Sequence, residues 1–419
     1  MDFGAAADRR PGQDRGWAME YRRTTVRDMR RSNRSVILTG IYRDGPLSRQ
    51  ELSVRTSLSA ASVSNLVTEL IAEGVVEEAG SVESEGGRPR VLLRVAREFR
   101  YVVGAEVGET RVRVELFDLA MNVLATVDHP IETPEPEVVV KHVLEGLASV
   151  LGSSGVQAST VLGVGVAVFG IVDAEAVVHA QTLGWDAVPF GQMLAEGTDI
   201  PILVDNGANT LGQAEMWFGA GRGATDAVVA LVGSGVGAAL VTGGSSYRGT
   251  RSSAGEWGHT TIMYGGRGCR CGAQGCLEAY VGAEDVLDRY HQAGGELSTS
   301  DEEAAFAELL AAAETSEVAA TIVADTIGYL SAGFANLVNL VNPERIVLGG
   351  WAGLLLGERY LPRLRAEVGR HALRQPYSQV SIVLCELGRD AVALGAATLP
   401  ILRLLQDGGV LPPSKVPAG

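Results

Sequence analysis

The sequence predicts an α/β protein built from two unlike parts, an amino-terminal winged helix-turn-helix and a two-lobed α/β body behind it. Three observations carry this. Up to about residue 97, short amphipathic helices are followed by two strand-like runs around a polar Gly-Gly-Arg-Pro tip. From Tyr101 onward, nearly continuous apolar strands such as VLGVGVAVFG alternate with amphipathic helices, the pattern of a largely parallel, buried sheet. Charge divides at the same place. Residues 1–100 hold 17 Arg against 14 Asp and Glu, whereas the remainder holds 18 basic and 36 acidic residues, within a chain of 419 residues and net charge −15. Such a length exceeds one core and implies two or three domains. The acidic body repels phosphate backbones, so any nucleic-acid contact belongs at the arginine-rich end.

Residues 1–22 show no periodicity and are expected to be a disordered tail, with Met1 and Met19 both available as starts. A winged helix-turn-helix is expected over 23–97. In its first helix Val36, Ile37, Ile41 and Leu47 space as one face. Ser48 caps a second helix with Gln50 and Glu51 in its first turn, and Ser59 caps a third. In the third helix Val63, Leu66, Val67 and Leu70 face inward, while Ala60, Ala61, Ser62, Ser64 and Asn65 face outward. A small, hydrogen-bonding surface of that kind suits a major groove. Ordinary three-helix modules share the pattern, but the strands Val75-Val76-Glu77 and Val91-Leu92-Leu93 add a wing whose Arg88 and Arg90 can enter a minor groove or grip phosphates. The expected DNA contacts are therefore Ser48, Ser59, Ala60, Ala61, Ser62, Ser64, Asn65, Arg88 and Arg90.

In the body, YVVGAEVG, VRVELFD and NVLATVD read as a three-strand meander. An amphipathic helix marked by Val138, Val139, Val143, Leu144 and Leu147 then leads into VLGVGVAVFG. That order is expected of an actin-like, hexokinase-type lobe, here 98–204 plus 386–408, closed by a last helix near 390–405. A second lobe, 205–385, contributes DAVVALVG, VGAALVT, a helix over 321–341 and RIVLGG, and residues 409–419 read as a loose tail. No run of eighteen apolar residues occurs, and the first thirty residues hold arginines without an apolar core, so a cytoplasmic protein without a membrane partner is expected. Nothing among the four cysteines requires a disulfide.

Three of those cysteines fall in the segment GEWGHTTIMYGGRGCRCGAQGCLEAY, residues 255–280. His259, Cys269, Cys271 and Cys276 form a His-x9-Cys-x-Cys-x4-Cys set, and one imidazole with three thiolates is the soft, four-coordinate composition that tetrahedral zinc prefers. The shell is full, so one structural zinc per chain is expected, holding a glycine-rich loop. Glu256 and Glu278 flank the ligands and can accept hydrogen bonds from a polyhydroxylated molecule, with His259 donating from its second ring nitrogen. The segment reads as a sugar site.

ExGH followed by GxxGCxCGxxGCLE resembles the signature of the ROK family, which comprises bacterial sugar kinases and sugar-responsive repressors. The segment from Leu47 to Glu78, with its GGRPR tip, is likewise similar to the amino-terminal domain of ROK repressors, which the kinases lack. The resemblance implies an amino-terminal winged helix followed by a two-lobed ROK domain, with sugar hydroxyls contacted by Glu256, His259 and Glu278. Gly170, Asn206 and Trp185 are further cleft candidates, Trp185 being equally readable as core. ROK kinases carry Asp-x-Gly-Gly-Thr at the first phosphate turn, where this chain has Glu106-Val107-Gly108-Glu109-Thr110, with a carboxylate where phosphates would lie. They also carry Asn-Asp-Ala-Asn with Asp as general base, where this chain reads Asn206-Gly207-Ala208-Asn209 and Asp205 is one residue off register. The turns Gly233–Gly237 and Gly349-Gly350 survive. The expectation is a repressor, without catalytic residues, that binds operator DNA as a homo-dimer or tetramer and responds to a sugar or sugar phosphate. The alternatives are an ATP-dependent sugar kinase with an added DNA-binding domain, and a regulator that docks a protein partner on its metal loop.

Overall fold

The computed structural model describes residues 25–84 and 87–411. The expected amino-terminal tail and the very tip of the wing lie outside them, as do residues 412–419. The amino-terminal unit runs α1 (Val26–Asp44), β1 (Leu47–Ser48), α2 (Arg49–Thr56), α3 (Ala60–Ala72), β2 (Val76–Ser84) and β3 (Gly87–Val95). Both expected caps form. Ser48 and Glu51 make a reciprocal capping box on α2, and Ser59 Oγ accepts from Ser62 N at 3.1 Å on α3. Two residues depart from the expected first-helix face. Gly45-Pro46 ends the helix, so Leu47 pairs instead with Leu93 in a three-stranded wing sheet, and Val36 points to solvent.

The first lobe contains β4 (Tyr101–Val107), β5 (Arg111–Asp118), β6 (Val123–Pro130), α4 (Pro136–Ser154), β7 (Val161–Val168), β8 (Ile171–Val172), β9 (Val178–Ala180), β10 (Trp185–Val188), α5 (Phe190–Glu196) and β11 (Ile202–Asn206). Its main sheet has the order β11-β7-β4-β5-β6, with β4, β7 and β11 parallel. Pairing of Glu106 with Ala167 and of Asp205 with Ala167 brings the carboxyl ends of these three strands to one edge. That edge is where open α/β sheets bind ligands.

From it α6 (Gly207–Phe218) leads to the second lobe: β12 (Ala227–Val232), β13 (Val236–Thr242), β14 (Ser245–Tyr247), α7 (Glu278–Val281), α8 (Ala283–Gln292), α9 (Glu302–Ala312), α10 (Glu317–Val341), β15 (Arg345–Gly349), α11 (Trp351–His371), α12 (Arg374–Tyr377) and β16 (Ser381–Leu384). Its sheet has the order β14-β13-β12-β15-β16. Helix α10 is long and apolar enough to cross a membrane by length and composition alone. Its apolarity is used in the core of this lobe, where Ile327, Leu330 and Phe334 are buried. Finally α13 (Ala391–Gln406) returns to pack on β4 and β7 and along α6.

Both α6 and α13 begin at the cleft edge and end against the amino-terminal unit. Trp217 and Phe218 at the end of α6 meet Tyr42 of α1 edge-on, at 5.7 and 6.3 Å between ring centroids. Beyond α13, the Gly408 carbonyl accepts from Arg34 Nε at 2.8 Å, and Asp407 pairs with Arg31. Ile37, Leu38 and Leu70 share one core with Phe117, Trp217, Leu404 and Leu405. Gly408 and Gly409 are buried, so the chain past α13 starts out packed where a loose tail was expected.

The seat of α13 depends on glycine. A Cβ on Gly104 or Gly165 would overlap the Ala393 or Ala396 carbonyl oxygen, and one on Gly395 would overlap that of Thr210 in α6. Because backbone cannot swing aside as a side-chain tip can, Gly395→Ala should cost about 1–3 kcal/mol. A lower urea midpoint for that variant, beside a raised midpoint for Gly152→Ala, which lies in α4 with nothing within 4 Å of its Cβ and gains helix propensity, checks this.

Candidate functional site

The two lobes enclose a cavity of about 380 Å³ whose lining includes Gly170, Asn206, Gly207, Glu256, His259 and Glu278. All five residues expected to meet a sugar thus come to one cleft from four places in the chain. Asn206 caps α6. Its Oδ1 accepts from Ala208 N at 2.8 Å and Asn209 N at 3.3 Å, and its Nδ2 donates to Gly170 O at 2.7 Å. Gly170 takes φ +83°, and a side chain there would overlap the His179 carbonyl, which fixes the turn that receives Asn206. Glu256 precedes a short 3₁₀ turn, Trp257–His259, wedged by Trp257 stacked on Phe334 at 5.2 Å. Burial, opposed by His259 and reinforced by Glu278, holds the Glu256 carboxyl above the ordinary carboxylate range. Glu278 Oε2 accepts from Val236 N at 2.9 Å, and its Oε1 lies 3.8 Å from Arg270 Nε.

Gly207 opens α6, and a Cβ on it would come no closer than 3.8 Å to Val392 Cγ1 and 4.0 Å to Val168 O. The position has room for a side chain and carries none. Asp205 does not replace it: the residue is buried, bonded bidentately to Arg248 at 2.7 and 2.5 Å, and absent from the cavity lining. Trp185 also lies outside the cleft, buried against Phe190 with its Nε1 donating to Pro134 O at 2.7 Å, which decides it as core.

The donor atoms of His259, Cys269, Cys271 and Cys276 lie within 4.8 Å of one another. Cys271 Sγ and Cys276 Sγ are 3.7 Å apart, and Cys269 Sγ is 3.6 Å from His259 Nδ1. A tetrahedral ion with metal–sulfur bonds of about 2.3 Å and metal–nitrogen bonds of about 2.0 Å requires separations of roughly 3.8 and 3.5 Å. The residues therefore fit a four-coordinate metal, and with Nδ1 turned to the thiols the opposite ring nitrogen of His259 is left for the cleft. Burial raises the Cys269 and Cys276 thiols, as expected of a thiol cluster whose negative charge needs a cation. Cys385 stands apart, its thiol donating to buried Glu215 at 2.8 Å.

Sequence reasoning missed the ion pairs across the mouth of the cleft. Arg270, between two of the thiols, bonds Glu109 at 3.1 and 3.2 Å, Glu284 at 3.1 Å and Ser234 O at 3.2 Å. Against the pull of its own burial, Glu109, Glu278 and Glu284 hold its guanidinium above the ordinary value. Arg389 pairs with Glu303, and Ser234 Oγ donates to Glu302 at 2.5 Å. The one signal available was Glu109 itself, a carboxylate in a glycine turn, which calls for a cation opposite.

On the amino-terminal unit, Ser59, Ala60, Ala61, Ser64 and Asn65 are exposed on one side of α3 with Ser62 half-buried, and Arg90 is exposed on the wing. The Arg88 side chain lies outside the described residues. Ser48 is a correction. It is 3% exposed, its hydroxyl is turned onto Glu51, and it serves the cap with no surface left for DNA.

Glu106, at the end of β4, lines the cavity with a buried Oε2 that has no partner, and burial above all pushes its pKa up to about 7. A folded-state value above the ordinary 4.5 contributes stability that is complete below about pH 4.5 and lost as pH rises through about 7. Glu106→Gln, which stays uncharged, should therefore raise the thermal midpoint over the parent at pH 8 by more than it does at pH 5.

Comparison with known proteins follows the same lines. The ROK family model matches residues 102–402. The xylose repressor of Caldicellulosiruptor bescii is 30% identical over 392 residues, covering 90% of this chain and 97% of its own. A glucokinase of Halalkalibacterium halodurans is 29% identical over 320 residues, covering 72% of this chain and 94% of its own. Among solved structures, a ROK family transcriptional regulator homologous to the E. coli MLC protein superposes with TM-score 0.76 at 25% identity, covering 91% of this chain and 98% of that one. With a winged helix ahead of residue 102 and the His-Cys cluster and cleft behind it, the chain belongs to the ROK family.

Proposed function

We propose that the protein is a sugar-responsive, DNA-binding transcriptional repressor whose body keeps a sugar cleft and a structural zinc and has lost phosphotransfer. The observation that carries this is the pair α6 and α13, which start at the cleft, at Asn206-Gly207 and Ala391-Val392, and finish under α1. A ligand that moves the cleft edge moves the DNA-reading unit. The surface of α3 that begins at Ser59 enters a major groove, Arg88 and Arg90 of the wing meet the backbone or minor groove, and Glu256, Glu278, Asn206, the Gly170 turn and the free nitrogen of His259 meet sugar hydroxyls. Zinc on His259, Cys269, Cys271 and Cys276 fixes the loop between Glu256 and Glu278, and so the spacing of the two carboxylates. The relatives named as repressors match nearly the whole chain, and they support operator DNA as the partner.

Phosphotransfer needs a base beside the reacting hydroxyl, worth about 10²- to 10⁴-fold, and the position at the head of α6 offers a hydrogen atom. One winged helix makes few phosphate contacts, so a cytoplasmic homo-dimer or tetramer binding paired half-sites completes the reading.

In an operator gel-shift titration, D-xylose, D-glucose, N-acetylglucosamine or a phosphate ester of one of them should change DNA affinity. If none does, the sensor reading falls. Glu256→Ala should weaken the response at least about tenfold, the loss of one hydrogen bond to a charged group, with sugar-free operator affinity unchanged. Metal analysis of the parent should give one zinc per chain, and Cys276→Ser should lose both the metal and several degrees of thermal midpoint. The glycine turns at Gly233–Gly237 and Gly349-Gly350 and the glucokinase relative favour the kinase alternative. Turnover of Mg-ATP with a sugar at about 1–100 s⁻¹ would establish it.

A further inference from the structure

We infer that Glu109 and Arg270 act as a built-in plug that fills the phosphate half of the cleft, so that the site takes a neutral, unphosphorylated sugar and refuses sugar phosphates and nucleotides. The inference rests on the sugar-sensor reading and narrows the class of effector. Its basis is where the pair sits. A Cβ placed on Gly235, in the second glycine turn, would be 3.5 Å from Glu278 Oε2, 3.7 Å from Arg270 Nη2 and 3.8 Å from Glu109 Oε1. Three charged groups therefore converge over the backbone that a phosphate-binding turn would present to its ligand. Arg270 Nη2 already donates to the Ser234 carbonyl of that turn at 3.2 Å, and the Ser234 hydroxyl is committed to Glu302.

The charge around the cavity points the same way. Carboxyl groups of Glu106, Glu109, Glu256, Glu278, Glu302 and Glu303 line it. Each arginine in the lining is matched to a carboxylate: Arg270 to Glu109, Glu278 and Glu284, Arg389 to Glu303, and Arg111 to Asp128 and Asp390 at 3.8 and 3.9 Å. Burial, the largest cause in each case, holds Glu109 and Glu302 above the ordinary carboxylate range, so the cavity already resists the negative charge it has. An entering phosphate would have to take Arg270 from Glu109 and leave that carboxylate buried and unpaired. A neutral sugar leaves the pair intact and uses Glu256 and Glu278 as acceptors.

Calorimetry on the full-length, metal-loaded protein tests this with D-xylose, D-glucose and N-acetylglucosamine, their phosphate esters, and Mg-pyrophosphate as a bare anion probe. The expected result is a free sugar binding at least tenfold tighter than its own phosphate ester. Glu109→Gln, which keeps the size and removes the charge, should bind Mg-pyrophosphate at least tenfold tighter than the parent. A phosphate ester that binds the parent as tightly as its free sugar, or tighter, overturns the inference, as does an unchanged pyrophosphate affinity in Glu109→Gln. Silence of every sugar and ester would sink the sensor reading instead, leaving the pyrophosphate comparison to decide on the plug alone.

Discussion

The structure depends on the close approach of α13 to the first-lobe sheet and to α6. Gly104 and Gly165 let the α13 backbone lie against β4 and β7, and Gly395 lets it lie against the carbonyl of Thr210. Contacts this short pass displacement between main chains, with no flexible side chain between them to absorb it. One consequence is that the two helices behave as a single strut between the lobes. Another is that whatever sets the position of Asn206 and Val392 at one end sets the position of Trp217 and Leu405 at the other.

At the cleft end of that strut, binding and chemistry are carried by different atoms. On the proposed reading, hydrogen bonding to hydroxyls falls to Glu256, Glu278 and the ring of His259, which line the cavity beside the loop that the thiols gather. Phosphotransfer would draw on the head of α6 and on the first glycine turn, and there the chain has Gly207 and Glu109. Because these positions share no side chain with the first set, one function can go while the other stays. Glu109 also has a structural part. Paired with Arg270 of the cysteine loop, it links the turn after β4 to the residues between two thiols, so the candidate metal site and the lobe-to-lobe contact are one connected feature.

Local rules carried the sequence reading where one residue's chemistry decides the outcome. Ser48 and Ser59 cap helices because a hydroxyl ahead of an apolar periodic run satisfies an orphan amide, and the four metal-type side chains meet because their spacing closes a short loop. The reading failed where tertiary packing decides. Leu47 has the right spacing for the α1 face, yet Pro46 sends it to a strand, and Val36 faces water because the unit leans on the body through Ile37, Leu38 and Ile41 instead. Trp185 sits near cleft residues in sequence, but its indole is drawn to the Pro134 carbonyl. Arg270 was invisible as a functional residue because its partners Glu109, Glu278 and Glu284 come from both lobes, and no spacing along the chain announces them.

The anchoring of the amino-terminal unit constrains how a ligand can act on it. Ile37, Leu38, Val67 and Leu70 are buried in a core shared with the body, and fully burying such a side chain is worth about 1.5–3 kcal/mol. The same core includes Leu52, Val63 and Leu66 of their own unit, so separation would expose part of that area, set against the coupling of about 1–3 kcal/mol that one effector typically supplies. Arg34, bonded to Gly408 O, and Arg31, paired with Asp407, add polar fixings across the same interface. Detaching the DNA-reading unit is therefore a costly response to a sugar. A shift of the cleft edge that is passed along α6 and α13 keeps these contacts. On the proposed reading, the signal is then the changed spacing of two α3 helices carried rigidly on paired bodies, and the winged helix itself need not unfold, detach or change shape.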